Sequence, residues 1–103
     1  MLIEKINEKF DCVAESYHKW LFFYVSKPSE RKNLFALIVA GRNTSNVIFR
    51  INPKTFKDND KTRKVAGWFF PRGTERRMTI KDEDISEIIH YLEHSYSTTK
   101  SPN

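Results

Sequence analysis

The segment His90 to His94 reads HYLEH, which matches the H-x-x-E-H zinc pattern letter for letter. Two histidines four residues apart on a helix can bind one metal ion, and Glu93 between them could act as a base. Such a site needs a third protein ligand, and only nine residues follow His94. Both histidines also lie off the apolar stripe of the predicted helix, where solvated side chains belong. We therefore interpret the match as coincidental, predict no metal and no catalytic residue, and keep a metal hydrolase only as a third hypothesis.

A second arrangement that could do chemistry is the carboxylate pair Asp58 and Asp60 in KDNDK. Paired carboxylates can serve acid-base or metal chemistry. Here Lys57 and Lys61 flank them in a polar stretch, which favours solvated groups with local ion pairs. The sequence contains no Gly-rich phosphate loop, nucleophile elbow or Cys/His cluster. We predict a protein that is not an enzyme and uses no cofactor.

The positive charge of the chain is concentrated in its middle. The net charge is +5, yet residues 50–81 alone hold ten Lys or Arg and three Asp or Glu. Residues 82–103 hold one Lys and five Asp or Glu. A basic segment of this kind suits nucleic acid, because each Lys or Arg placed on a phosphate releases condensed counterions. The alternative is that these cations only solvate the surface and the edges of hairpins.

Aromatic side chains are interleaved with this positive charge in the stretch KVAGWFFPRGTERR, residues 64–77. Rings that alternate along a strand cannot all face one core, so at least one is expected at a surface. Cations that contact phosphates and rings that stack on bases together bind nucleic acid. The candidate nucleic-acid-binding residues are Lys61, Arg63, Lys64, Trp68, Phe70, Arg72, Arg76 and Arg77.

A protein interface is an equally open interpretation of the same residues. The aromatic side chains could be buried between the layers of the fold, against a partner protein, or in a homodimer interface. The sequence does not decide between DNA and RNA, and it leaves the oligomeric state open.

The elements that would position these residues follow from hydrophobic periodicity. Apolar residues at steps of three and four from Leu2 to Val13 predict an amphipathic helix. Three strands in meander are predicted at 18–26, 34–41 and 46–52, the first two apolar on both faces. Residues 53–63 predict a polar loop with one helical turn after Pro53.

The second half of the chain predicts a hairpin and a helix. Strands are expected at 64–70 and 76–81, with Gly73 as the residue of positive φ between them. An amphipathic helix follows, with an N-terminus that Asp82 or Asp84 can cap. The expected fold class is α+β, with an N-terminal helix, an antiparallel sheet of about five strands and a C-terminal helix packed on the sheet.

Length and cysteine content limit the organisation of the chain. Its 103 residues fit a single domain, which we place at 1–97 with a flexible tail at 98–103. The lone Cys12 cannot form an internal disulfide, which favours a reducing compartment. The first residues carry charges where a signal peptide is apolar, and no apolar run is long enough for a membrane span. We expect a cytoplasmic protein without membrane association.

A resemblance adds context to residues 34–97. The segments FALIVAG, VIFRINPKTFKDND, AGWFFPRG, MTIKDEDISEII and HSYS resemble a bacterial and archaeal family of unknown function. That family recurs as the C-terminal module of predicted nucleases, restriction-type proteins and chains labelled predicted transport proteins. More distantly, the layout is similar to the YjbR-like double-wing proteins, which share a terminal helix ending in Ser-Tyr and are suspected of binding DNA. The resemblance implies a nucleic-acid context or a partner protein in a nuclease or defence system, and it assigns no active residue.

Overall fold

The computed structural model describes residues 2–28, 30–65 and 67–100, which form two helices and six strands. Two short 3₁₀ helices lie at Arg31–Asn33 and Asp82–Asp84. The other elements are, in chain order, α1 (Leu2–Lys9), β1 (Val13–Tyr17), β2 (Trp20–Tyr24), β3 (Leu34–Ala40), β4 (Ser45–Arg50), β5 (Arg63–Lys64), β6 (Glu75–Thr79) and α2 (Ile85–Lys100).

All the strands form one antiparallel sheet in the order β1-β2-β3-β4-β6-β5. The predicted α+β fold class is confirmed, with α1 at the N-terminus and α2 packed on the sheet. Strand β1 was not predicted, because four of its five residues are exposed and no apolar alternation marks it. The strand predicted at 64–70 is limited to Arg63–Lys64, and residues 68–70 form bends instead.

The C-terminal boundary lies later than predicted. Helix α2 continues to Lys100, and Thr99 is buried with its hydroxyl 3.5 Å from the carbonyl oxygen of Leu34. Residues 98–100 therefore belong to the folded domain. Three predictions fall in part outside the described residues: the turn at Ser29, the strand at Ala66 and the tail at 101–103.

One face of the sheet packs against both helices. The apolar positions of α1 and α2 meet inward-facing residues of the central strands, which form a core without solvent access. The fully buried members of this core are Ile6, Phe23, Phe35, Ala36, Val47, Phe49, Ile51, Met78, Ile88 and Leu92.

The opposite face of the sheet is covered by the loop of residues 67–73. Its Phe70 is buried with Leu37 and Ile48 in a second apolar cluster, and Phe69 packs at the margin of that cluster. Strands β2 and β3 are therefore apolar on both faces because both faces are covered, as their sequences predicted. Among the described residues, no helix combines the length and the apolar character that a membrane span requires.

Candidate nucleic-acid interface

The side chain of Trp68 projects from the loop at residues 67–73. It is 77% exposed, the highest value among the large hydrophobic residues that the structure describes. Its carbonyl oxygen accepts a hydrogen bond of 3.2 Å from Nη1 of Arg31. The residue before it, Gly67, adopts a φ of 87°, which is a conformation that glycine permits at low cost. The loop backbone is thus held in place while the indole ring faces solvent.

Glu75 anchors the same loop from β6. Its side chain is only 1% exposed, and its Oε1 accepts the backbone N–H groups of Phe69 at 2.7 Å and Phe70 at 2.9 Å. These hydrogen bonds replace the strand pairing that was predicted for residues 64–70. They also engage Oε1 of Glu75, a carboxylate that lies close to Trp68 on this face.

The aromatic run Trp68, Phe69 and Phe70 is divided between solvent and core. The ring of Phe69 lies 5.3 Å from that of Trp20 and 6.1 Å from that of Phe22. Phe70 is 5% exposed. Phe70 therefore serves packing, Phe69 is half-buried, and Trp68 is the most exposed ring of this run.

Strand β5 places two cations beside those of β6. Arg63 lies directly opposite Arg77, and Lys64 lies opposite Arg76. Like charges in directly opposite positions destabilise an antiparallel pair. Arg63 donates to the uncharged Oδ1 of Asn46 at 3.1 Å, and among the described residues neither Arg63 nor Arg77 forms an ion pair with a carboxylate. Positive charge thus remains uncompensated at this edge of the sheet.

Two of the predicted cations are engaged within the protein. Arg76 is 4% exposed and pairs with Asp58, while Nζ of Lys61 lies 2.8 Å from Oδ1 of Asp84 and 3.2 Å from Oε1 of Glu87. The hydrogen bond to Asp84 has the largest effect and the one to Glu87 the next, and both raise the pKa of Lys61. Asp58 was expected to form local ion pairs with its lysine neighbours, but its partner is Arg76 on β6.

The remaining predicted cation, Arg72, is exposed in the loop that carries Trp68. A Cβ atom added at Gly67 would lie 3.2 Å from the Cα of Arg72, so the two ends of the loop touch. Four of the eight predicted residues therefore lie together on the loop-covered side of the sheet without a carboxylate partner among the described residues. We call these four residues the Trp68 surface: Arg63, Trp68, Arg72 and Arg77. Lys64 lies opposite Arg76, so its side chain is on the helix side of the sheet, near Asp58.

A cavity of about 430 Å³ opens beside this surface, on the face of the sheet opposite the helices. Its walls are Trp20, Ile48, Val65, Trp68 and Phe69, with Glu75 and Arg77 as polar members. Sequence reasoning missed the participation of Trp20 and Glu75. Trp20 lies in an alternating aromatic strand, which predicted the strand but not its proximity to residue 68.

The histidines of the H-x-x-E-H match occupy different environments. His90 is exposed, whereas His94 is half-buried, in contrast to the solvated position expected for both. Nε2 of His94 accepts the backbone N–H of Asn52 at 2.9 Å, and its ring lies 5.4 Å from that of Phe56. Burial, and then the nearby His90, lower the pKa of His94. Among the described residues, no group of three His, Cys, Asp or Glu side chains is arranged to hold a metal ion.

The fold and this site define a small α+β domain whose loop-covered sheet face combines an exposed indole with uncompensated cations. No family model matches the chain, and no curated protein matches it significantly.

Proposed function

We propose that this protein is a small non-enzymatic module that binds nucleic acid through the Trp68 surface. The observation that carries the proposal is the exposed indole of Trp68 beside Arg63 and Arg77, which lie opposite each other without a carboxylate partner among the described residues. Phosphates would be contacted by the cations, and a base would stack on the ring. A role as accessory to a nuclease or defence system belongs to the same proposal.

The strand register supports an anionic ligand. Arg63 and Arg77 repel each other across β5 and β6, and this repulsion lowers the stability of the folded protein. A phosphate between them would remove the repulsion. In contrast, two of the three acidic residues of the middle segment are used internally, since Asp58 pairs with Arg76 and Glu75 holds the loop.

The test is a fluorescence-anisotropy titration of labelled oligonucleotides at several salt concentrations. Arg63→Ala with Arg77→Ala should weaken binding and reduce the slope of log K against log salt by about 1.4 if two phosphate contacts to a single strand are lost. Lys5→Ala with Lys27→Ala is the matched control, because it removes two exposed charges elsewhere. Absence of binding at low salt, or an equal loss in the control, would overturn the proposal.

A second candidate function is homodimerisation or binding of a partner protein through β1. This strand ends the sheet, so its outer side pairs with no other described strand, and it exposes 42% of Val13 and 66% of Tyr17. Exposed apolar edges of this kind pair with other chains. Light scattering should then give a mass that rises with protein concentration, and Val13→Lys with Tyr17→Lys should abolish the rise. A monomeric mass at all concentrations would exclude the homodimer.

A further inference from the structure

The cavity beside Trp68 has the size and the walls of a site for a flat aromatic group. Its volume of about 430 Å³ lies within the ~300–1,000 Å³ that is common for small-molecule sites. Trp20, Trp68 and Phe69 supply aromatic walls, and the rings of Trp20 and Phe69 are tilted by 53° at 5.3 Å. A nucleobase offers a π-face to such walls regardless of its identity.

The polar walls of the cavity favour a ligand that carries negative charge. Arg77 contributes a cation without an ion-pair partner among the described residues. The carboxylate of Glu75 is directed to the loop, where its Oε1 accepts two backbone N–H groups. From Arg77 the positive charge continues across the sheet to Arg63 on β5. A base in the cavity would therefore have its backbone phosphates close to a row of cations.

Duplex nucleic acid fits this arrangement poorly. Bases of a duplex are stacked on each other and present only their edges in the grooves, so they cannot enter a recess lined by rings. A helix in the major groove is one way to bind a duplex, and α2 is the long helix among the described residues. Its N-terminal end follows Asp82 and Glu83, which repel phosphate, and its apolar side is buried on the sheet.

We infer that the ligand of the Trp68 surface is single-stranded nucleic acid, with one unstacked base inserted into the cavity between Trp68 and Trp20. This inference rests on the proposed function and names its substrate class. Stacking accounts for the preference for single strands, and the cations account for affinity to the backbone. The shared chemistry is a base on a phosphate backbone, which single-stranded DNA and RNA both provide.

The experiment compares four labelled probes of about 12 nucleotides at one salt concentration: single-stranded DNA, single-stranded RNA, the DNA duplex, and a DNA strand with abasic residues throughout. The intact single strands should bind at least about tenfold more tightly than the duplex and the abasic strand. Trp68→Ala should cause a similar loss for intact strands and little loss for the abasic strand. Trp68→Phe retains a ring and should restore most of the affinity.

The outcomes separate this inference from the proposed function. Equal affinity for duplex or abasic probes would overturn base insertion while leaving the proposed function in place. Absence of binding to every probe would overturn both. Because Trp68 is exposed, its replacement should leave the fold intact. An unchanged circular dichroism spectrum of each variant is the control for this.

Discussion

The guanidinium of Arg76 on β6 holds the carboxylate of Asp58 through two hydrogen bonds, Nε to Oδ1 at 2.7 Å and Nη2 to Oδ2 at 3.2 Å. Its Nη1 also donates to the carbonyl oxygens of Gly73 at 3.1 Å and Glu75 at 3.0 Å. A side chain that the sequence suggested as a phosphate contact therefore joins the loop after β4 to the sheet.

Replacing Asp58 should destabilise the protein. Asp58→Asn leaves the buried charge of Arg76 with neutral partners, and we expect a loss of about 2 kcal/mol in the free energy of unfolding. This is below the ~3–5 kcal/mol typical of a fully buried pair, because the Asp58 side chain is 35% exposed. Urea unfolding measures the loss. Asp60→Asn, an exposed neighbour, is the control and should change stability by less than about 0.5 kcal/mol.

The same pair should control stability in acid. The hydrogen bond from Arg76 holds the pKa of Asp58 below its usual range, against a smaller opposing effect of burial. The folded state thus releases this proton more readily than the unfolded state does. The stabilisation is complete above the ordinary carboxyl pKa and is lost as pH falls through the depressed pKa. The free energy of unfolding, measured from neutral to low pH, should fall less steeply in Asp58→Asn than in the unaltered protein. An equally steep fall would contradict the assignment of this acid dependence to Asp58.

His94 should make stability depend on pH near neutrality. Because burial and His90 lower its pKa, the folded protein favours the neutral ring that accepts the N–H of Asn52. Its stabilisation is present above the ordinary histidine pKa and is lost as pH falls through the lowered value. His94→Ala should cost about 1–2 kcal/mol at neutral pH and flatten the dependence of stability on pH below the ordinary histidine pKa.

The control for His94 is a histidine in a turn. His18→Asn removes an exposed side chain at a φ of 54°, a conformation that asparagine tolerates. It should preserve the pH dependence of stability. If His18→Asn flattens the curve and His94→Ala does not, the assignment to His94 is wrong.

Two glycines with nearly equal φ separate backbone strain from packing. Gly67 and Gly73 have φ values of 87° and 86°, but an added Cβ at Gly67 meets Phe70 O and Arg72 Cα at 3.2 Å, and one at Gly73 meets nothing within 4 Å. Gly73→Ala should cost about 1 kcal/mol from conformation alone. Gly67→Ala should cost about 1 kcal/mol more because the loop must shift. Equal losses in thermal unfolding would indicate that the contact at Gly67 is unimportant.

Glu75 should prove necessary for the position of Trp68. Glu75→Ala leaves the N–H groups of Phe69 and Phe70 without their acceptor, and we expect a loss of about 2–4 kcal/mol in stability. Glu75→Gln keeps a carbonyl oxygen and should cost less. Chemical unfolding gives both values, and tryptophan fluorescence reports the loop. Loss in Glu75→Gln as large as in Glu75→Ala would mean that charge, rather than hydrogen bonding, holds the loop.

Local sequence was sufficient for most of the fold. The helix α2, the central strands β3 and β4 and the turn at Gly73 follow from periodicity and from glycine, which act over a few residues. Strand β1 lacked such a signal because it lies at the exposed end of the sheet, where burial imposes no alternation.

The site was predictable in composition but not in arrangement. Sequence indicated a basic and aromatic stretch between Lys61 and Arg77, and this stretch does contribute to one region of the surface. It could not separate Trp68 from Phe70, because the predicted strand would place both on one face, whereas the bends at 68–70 divide them. It also could not separate Arg77 from Arg76, which lie on opposite faces of β6. Those sides depend on Glu75, which bends the loop, and on the register of β6 against β4.

The sequence by itself determined the class of the fold, the excess of positive charge in the middle of the chain and the aromatic content of the loop. Tertiary structure alone decided which cations are compensated. Asp58 pairs with Arg76, 18 positions away in the chain, and Asp84 pairs with Lys61, 23 positions away. Local sequence spacing therefore predicts neither pair. The same long-range packing brings Trp20 beside Trp68, and it leaves Arg63 facing Arg77 at the edge of the sheet.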